Sequence, residues 1–419
     1  MSKQNVQKEG AAMRLLQSKR GGFAIATVLC VVVLLLIIGA GLLSVGMHQR
    51  MMGVRTSSEI AARCSADAGL TKALAEMNKM LDLKTFNDTS LPSATDEPLP
   101  NCDSTFSYNV STITLADGND LYTIQSTGKS SRYQKTVNCT LEMKGIFEYA
   151  IYVAENLTLR NGTTISAYNQ GADDPPLQIG TNSTESGAVT CKTGVTINGD
   201  IVIGPGGDPD VVINNTSEAS ITGSTYPSLI KNKTPNINVP QALVDMVSSG
   251  SITSSTTMSS SAKYNSINLT GASTDPNKID KVTVDGNIKI YVMGDLRLGN
   301  GDAVEIQPNA SLAVFLGGNL YIDNSGAINN LTKDPKKLKI YGLDTCTNID
   351  FKNSGIFYGA IYAPEADIHL YNGFNVYGAV VGKSFTQDVN ANFFYDMSLR
   401  EAAPHEIGVH MVIKRWSEQ

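Results

Sequence analysis

Histidine is nearly absent from this chain, with four in 419 residues. None of His48, His369, His405 and His410 has the spacing of a metal site or a Ser/His/Asp triad. The six cysteines include no Cys-x-x-Cys pair, which argues against structural zinc. Charge is scarce too: 33 Lys and Arg against 39 Asp and Glu give a net charge of -6, with no dense basic block in the body. Phosphate binding needs clustered cations, so nucleic acid is not an expected partner. Paired carboxylates are few. Asp173-Asp174 runs straight into Pro175-Pro176, and Asp208 and Asp210 sit in GPGGDPD. Both are turn compositions, and a calcium loop at the second would rest on one short acidic segment. Glycoside hydrolysis needs two carboxyls held about 5 to 9.5 Å apart across a bond. No enzyme activity and no cofactor are therefore expected.

One stretch lacks charge altogether. Between Arg20 and Arg50 there is no Asp, Glu, Lys or Arg, and Phe23 to Gly46 reads FAIATVLCVVVLLLIIGAGLLSVG. About 20 apolar residues cross a hydrocarbon core of about 30 Å, so this run is long enough to span lipid. Lys3, Lys8, Arg14, Lys19 and Arg20 precede it against the single acid Glu9, which predicts a cytoplasmic N-terminus and an extracytoplasmic body. A secretory signal peptide is the alternative, but its apolar core is shorter and an Ala-x-Ala-like site follows it, whereas here the chain continues into HQRMMGVR. Met47 to Leu81 contains no proline, and Ile60, Cys64, Ala68, Leu70, Leu74, Met77 and Leu81 recur mostly at three- to four-residue steps. A single helix over 23–82, about 90 Å long at 1.5 Å per residue, is the expectation.

Lys19-Arg20-Gly21-Gly22-Phe23 resembles the leader and cleavage junction of type IV prepilins. Ser65-Ala66-Asp67-Ala68-Gly69-Leu70 is similar to the stem-helix stretch of PilX-type minor pilins. The resemblance covers about 19–82. It implies a leader over 1–22 cut between Gly22 and Phe23 by a prepilin peptidase, with membrane lipid, other pilins and the pilus or secretion assembly machinery as partners. Thr27 stands at the fifth mature position, where major pilins usually carry Glu, so the resemblance is to a minor subunit. An ordinary single-pass anchor with a coincidental Gly-Gly-Phe is the alternative.

Residues 87–101 are rich in Pro, Ser and Asp and read as a linker. Three strand-like runs follow, Thr105–Leu115, Leu121–Ser126 and Tyr133–Met143, with turns expected at Asp117-Gly118 and Thr127-Gly128-Lys129. An antiparallel meander over 83–146, similar to PilX-like heads, is predicted. Cys102 and Cys139 bracket it, and a disulfide between them would restrain the unfolded chain by about 3 to 4 kcal/mol. Two free thiols are the alternative.

Beyond Phe147 short strands alternate with Gly, Asn and Asp. Gly294-Asp295-Leu296-Arg297-Leu298 returns 24 residues later as Gly318-Asn319-Leu320-Tyr321-Ile322, and Tyr358-Gly359-Ala360-Ile361-Tyr362 returns 19 later as Tyr377-Gly378-Ala379-Val380-Val381. Echoes of about 20 residues suit one turn of a solenoid whose alternate residues face inward. A right-handed parallel β-helix over 147–419 is expected, with an excursion at about 224–262, and a β-sandwich competes. Over about 147–419, and most specifically in its last third from Phe357 through Phe394-Tyr395-Asp396 to Trp416, the body resembles an uncharacterised solenoid domain attached to PilX-type stems in bacterial envelope proteins. The expected fold is thus mainly β: a long N-terminal transmembrane and stem helix, a small meander and a parallel body. Tyr358, Tyr362, Tyr371 and Tyr377 are candidate surface residues for a glycan or protein ligand, although tyrosine is also an ordinary strand residue.

Overall fold

The computed structural model describes residues 21–114, 120–171, 174–215, 219–270, 279–299, 301–323, 325–352, 355–371, 373–401 and 403–418. Lys19, Arg20, Asp173 and the Asp117-Gly118 turn lie outside the described residues, as do the side chains of Gly22 and Phe23. The chain divides into two compact units. One takes the helix up to Glu76, Leu91–Leu141 and the chain from Ile413; the other takes Met77–Ser90 and Glu142–Val412.

Helix α1, Gly21–Asp82, is continuous over 62 residues. Every large apolar side chain from Ile25 to Ile60 is exposed, none below 46%. Burial begins at Ala62 and continues through Ser65, Ala66, Gly69, Leu70 and Ala73 to Met77 and Leu81. The expected stripe holds at Leu70, Met77 and Leu81 but not at Ile60 and Cys64, which are exposed; there the small residues Ala62, Ser65 and Ala66 face inward. Where the helix approaches its sheet most closely, beside Gly128, the inward positions are small, and hydropathy alone does not mark them.

That sheet has five strands in the order β1 (Ser93–Pro98), β2 (Ser104–Thr114), β3 (Asp120–Ser130), β4 (Tyr133–Lys144) and the C-terminal strand His410–Glu418. β1 and β2 pair antiparallel, as do β2 and β3 from Ser104↔Ser130 to Thr114↔Asp120. Part of the expected linker is therefore an edge strand, and Pro98 is tolerated because an edge strand has free amide positions. Thr127-Gly128-Lys129 is not a turn but continues β3. Gly128 is needed there for proximity: a Cβ would sit 2.0 Å from the Ala62 carbonyl oxygen and 2.4 Å from the Ala66 nitrogen. Ser126 Oγ donates to the Ala66 carbonyl at 2.7 Å, and Ser65 Oγ donates to Ser104 Oγ at 2.7 Å. Tyr108 donates its phenol to Glu76 Oε2 at 2.6 Å. The final strand, with Trp416, completes this sheet and does not continue the parallel body.

In the second unit short strands pair in parallel with their counterparts one pass away. Leu296↔Leu320 and Leu298↔Ile322 reproduce the 24-residue echo, and Tyr358↔Tyr377 and Ala360↔Ala379 the 19-residue one. Inward residues stack on their equivalents: Ile151, Ile179 and Ile201 lie in one row, and Val380, Ile361, Ile340, Val314 and Ile290 continue it. All are at most 2% exposed. Polar side chains satisfy corner amides between passes, as Asp200 Oδ1 does for the Ser224 N–H at 2.8 Å and Asn375 Oδ1 for the Asn392 N–H at 2.9 Å.

The order of passes is not the order of sequence. Strands β5 (Ile151–Val153), β6 (Leu157–Leu159) and β7 (Thr164–Tyr168) pair on one side with the passes that follow them. On the other side they pair with the last passes: Val380↔Ile151, Phe385↔Leu157 and Phe393↔Ile165. The stack thus has a seam in its interior, and each of its two ends is made from the middle of the chain. Thr225–Pro227 lies at one end and Ala262–Tyr264, bridged on its far side by Ser248↔Lys263, near the other. Nine pairings separate them in one column, roughly 43 Å at about 4.8 Å each. Residues 228–250 cover that distance easily at about 3.3 Å per residue. The expected excursion over 224–262 is therefore shorter than foreseen. Its outer parts, Thr225–Pro227, Ser251–Ile252 and Thr256–Met258, are strands of the stack.

Gly378 shows how tightly successive passes approach. It has φ +153°, and a Cβ there would meet the Gly359 carbonyl oxygen at 1.8 Å. Gly378→Ala is expected to destabilise the parallel unit by about 3 kcal/mol or more, read as a lowered thermal midpoint of the detergent-solubilised full chain; an unchanged midpoint would contradict this packing.

Candidate functional site

A parallel pass turns alternate residues outward, so outward rows are where a ligand would meet the body. The row Tyr152, Val381, Tyr362, Tyr341, Phe315 is made of successive strand partners. None is more than 3% exposed. Over Tyr152 and Tyr362 part of the cover comes from the segment that runs between the two ends. Asn232 exchanges two hydrogen bonds with the Asn182 side chain, at 2.8 and 3.0 Å, and the Tyr152 phenol donates to Asn182 Oδ1 at 2.7 Å. Tyr362 donates to the Pro235 carbonyl at 2.7 Å. Ile237 and Leu243 join the core, and Lys263 Nζ donates to the Val244 carbonyl at 2.8 Å. Tyr362 is thus a buried packing residue, contrary to its expected surface role, and burial pushes its phenol well above the ordinary range. Burial likewise raises Tyr149, which lies 4.7 Å from the Tyr152 ring, to about 12.

A second outward row is polar. Arg297, Tyr321, Asp350, His369, Thr386 and Thr158 follow one another by strand pairing. Tyr371 flanks it, half-buried, with its ring stacked on His369 at 3.5 Å between centroids. His369 Nε2 lies 3.2 Å from Asp388 Oδ1, which also pairs with Arg160 Nε at 3.2 Å. Lys352 and Asp323 pair at 3.1 Å, and the Arg297 guanidinium sits 4.1 Å over the Tyr321 ring. Each charge has a neighbour of opposite sign, so the row holds itself together. Among the described residues His369 makes no hydrogen bond to a hydroxyl or thiol, so its contact with Asp388 does not form a triad.

Tyr358 and Tyr377 belong to a third face. Their rings stack at 4.6 Å and 19°, and Tyr377 stacks on Phe394 at 4.6 Å and 22°. Tyr168 meets Tyr377 edge-on at 5.4 Å and 84°. The ring faces are occupied by one another, leaving mostly edges and hydroxyls outward. Of the four candidate tyrosines the structure therefore brings together Tyr358 and Tyr377, buries Tyr362, and places Tyr371 on a different face. The partners Phe394 and Tyr168 were missed, although the Tyr–Tyr echo at 358 and 377 pointed to a stacked column.

The remaining chemical candidates resolve into local structure. Asp174 Oδ2 accepts the Gly171 N–H at 2.6 Å, and Asp208 caps the short helix Pro209–Val212 by accepting the Asp210 N–H at 3.0 Å. Among the described residues no three His, Cys, Asp or Glu side chains gather as a metal site. Cys102 and Cys139 are both free, one exposed and one buried, which corrects the expected disulfide. Cys102 lies in the loop before β2, and β3 separates β2 from the β4 strand that carries Cys139. Two strand spacings, about 9.6 Å, exceed the roughly 7 Å limit for bridged Cα atoms. Cys191 and Cys346 are also free and buried. Burial raises the thiols of Cys139 and Cys191 to about 11 and that of Cys346 to about 12.

A family model described as a domain of unknown function, DUF7305, matches residues 228–402. This stretch starts at the covering segment and runs through the later passes. No curated protein matches the chain. Among solved structures it is similar to the competence-associated pilin ComZ from Thermus thermophilus, with 12% identity and a TM-score of 0.21 over 87% of this chain and 98% of that one. It is also similar to an ice-binding protein from the Antarctic ascomycete Antarctomyces psychrotrophicus, with 12% identity and a TM-score of 0.23 over 61% and 95%. Both scores are too low to assign a shared fold.

Alkylation of the native protein followed by peptide mapping is expected to modify Cys102 and to spare Cys139, Cys191 and Cys346 until the chain is unfolded. A peptide linking Cys102 to Cys139 under non-reducing conditions would contradict the strand order.

Proposed function

We propose that this chain is a structural cell-surface protein, a minor pilin-like component of a type IV pilus or type II secretion pseudopilus, anchored in the inner (cytoplasmic) membrane with its N-terminus inside. The observation that carries this reading is the two-part helix α1. Its first part, to about Ile60, exposes apolar side chains all round, and its second part buries a face of small residues beneath an antiparallel sheet. One helix is long and apolar enough to cross a membrane, and exposed apolar surface of this extent needs lipid or other apolar helices around it. Lys19-Arg20-Gly21-Gly22-Phe23 adds the processing signal.

Thr27 supports the minor role. It cannot supply the carboxylate that compensates a neighbouring subunit's N-terminal amine within lipid, where an unpaired charge is costly. We read the body as a right-handed parallel β-helix that serves as scaffold and not as catalyst. Adhesion is a secondary role, with a glycan or protein as ligand. The self-stacked rings of Tyr358 and Tyr377 make a hydrogen-bonded contact a better expectation there than ring stacking on a sugar.

Quantitative mass spectrometry of membranes and of sheared filaments tests both parts of the proposal. A mature chain beginning at Phe23, present at a few copies per filament, is the expected outcome. An intact leader or cleavage beyond Gly46 would overturn the pilin reading, and a copy number near that of the most abundant pilin would overturn the minor role.

A further inference from the structure

Away from the main sheet, strands Thr256–Met258, Lys281–Val284, Ala303–Ile306 and Ala327–Asn330 form a separate four-stranded parallel sheet. An aspartate precedes each of its two middle strands. Asp280 is 3% exposed and Asp302 only 1%, and the pairing Lys281↔Ala303 sets them one pass apart. Each carboxylate performs a corner task with one oxygen. Asp302 Oδ1 accepts the Asp280 N–H at 2.8 Å, and Asp280 Oδ1 accepts the Ser255 N–H at 2.9 Å and its hydroxyl at 2.8 Å. The second oxygen of Asp302 is different: Oδ2 is fully buried and has no hydrogen-bond partner.

Capping does not require a charge. Asparagine does the same work elsewhere in the stack, where Asn319 Oδ1 accepts the Thr347 and Asn348 N–H groups at 3.0 and 2.9 Å. A buried carboxylate with an unmade bond costs several kcal/mol, and the carboxylate of Asp280, whose backbone lies one strand spacing of about 4.8 Å away, adds repulsion. A buried acceptor without a partner in a folded protein marks a water, an ion or a proton. The side-chain donors placed here are all oxygen: two carboxylates and the Ser255 hydroxyl, which also accepts the Lys281 N–H at 3.0 Å. Hard divalent cations prefer such a set.

We propose that Asp302 and Asp280 are carboxylate ligands of a calcium-class cation held between the two passes, with Asp302 Oδ2 as a direct ligand. With two carboxylates among the described residues, backbone and water oxygens would complete the shell. That places the affinity on the order of 10⁻⁴ to 10⁻³ M, the range of extracellular calcium modules. The cation would neutralise the corner and tie neighbouring passes together, stabilising the body outside the cell and not within it.

The test uses the full chain in detergent micelles, stripped with EDTA and titrated with calcium chloride by calorimetry and thermal unfolding. Saturable binding of one calcium per chain with a raised midpoint is expected. Asp302→Asn keeps the capping oxygen and removes the charge, so it should lose the calcium response and be at least as stable as the unaltered protein in EDTA. No saturable binding, or undiminished binding by Asp302→Asn, would overturn the proposal. Stability in EDTA that rises as pH falls, with no response to calcium, would assign the corner a proton and overturn it equally.

Discussion

Everything in the larger unit depends on in-register parallel pairing between passes that are distant in sequence. The decisive instance is the seam, where Val380, Phe385 and Phe393 align with Ile151, Leu157 and Ile165. The Ala150 carbonyl accepts the Val380 N–H at 2.9 Å, and Tyr395 donates to the Phe147 carbonyl at 2.6 Å. Parallel strands leave two faces to be covered and slanted hydrogen bonds that tolerate little slippage. Once the seam forms, the first and last passes are neighbours, and the chain between them must build both ends of the stack. Long-range pairing of this kind has a high loop-closure cost, so the body is expected to fold late and as one piece.

The seam also dictates the fate of residues 228–250. They must travel from one end of the stack to the other, and the cheapest path lies along an outward row that is too apolar to leave in water. Tyr152, Tyr362, Tyr341 and Phe315 supply that row; Tyr362 donates to the Pro235 carbonyl, and Ile237 and Leu243 of the segment are buried in the same core. A segment poor in strand residues is thereby ordered by what it covers. Burying one aromatic side chain is worth about 2 to 3 kcal/mol, enough for a few such contacts to offset the ordering of a short extended segment.

The sequence made the repeating parts of this fold legible and the non-repeating parts obscure. The echoes at 24 and 19 residues correspond to real strand pairs, because inward residues must match from pass to pass. The single helix was legible from its charge-free run and lack of proline. The seam was not, since Val380 and Ile151 share only apolar character with many other positions. Gly128 was read as a turn residue because glycine serves turns and close approaches alike; the presence of the Ala62 carbonyl 2.0 Å from a would-be Cβ settles which. Among the candidate site residues, Tyr358 and Tyr377 face outward and are half-buried. Tyr362 is outward as well, and no local pattern could reveal that a segment more than a hundred residues away lies over it.

Helix α1 and the five-stranded sheet are bound by a different economy, in which small residues bring backbone close to backbone. The chain leaves that sheet after β4 and re-enters it with His410–Glu418, so the parallel body is an insertion between two sheet strands. An inserted body must begin and end near one place, and the interior seam is how a stacked fold meets that demand. Spin labels at Thr158→Cys and Thr386→Cys, in a chain whose exposed Cys30, Cys64 and Cys102 are replaced by serine, measure the seam directly. Thr158 and Thr386 are strand partners, so a label separation set by one strand spacing, about 4.8 Å between backbones, is predicted. A separation of several tens of ångströms, as passes stacked in sequence order would give, would contradict the account.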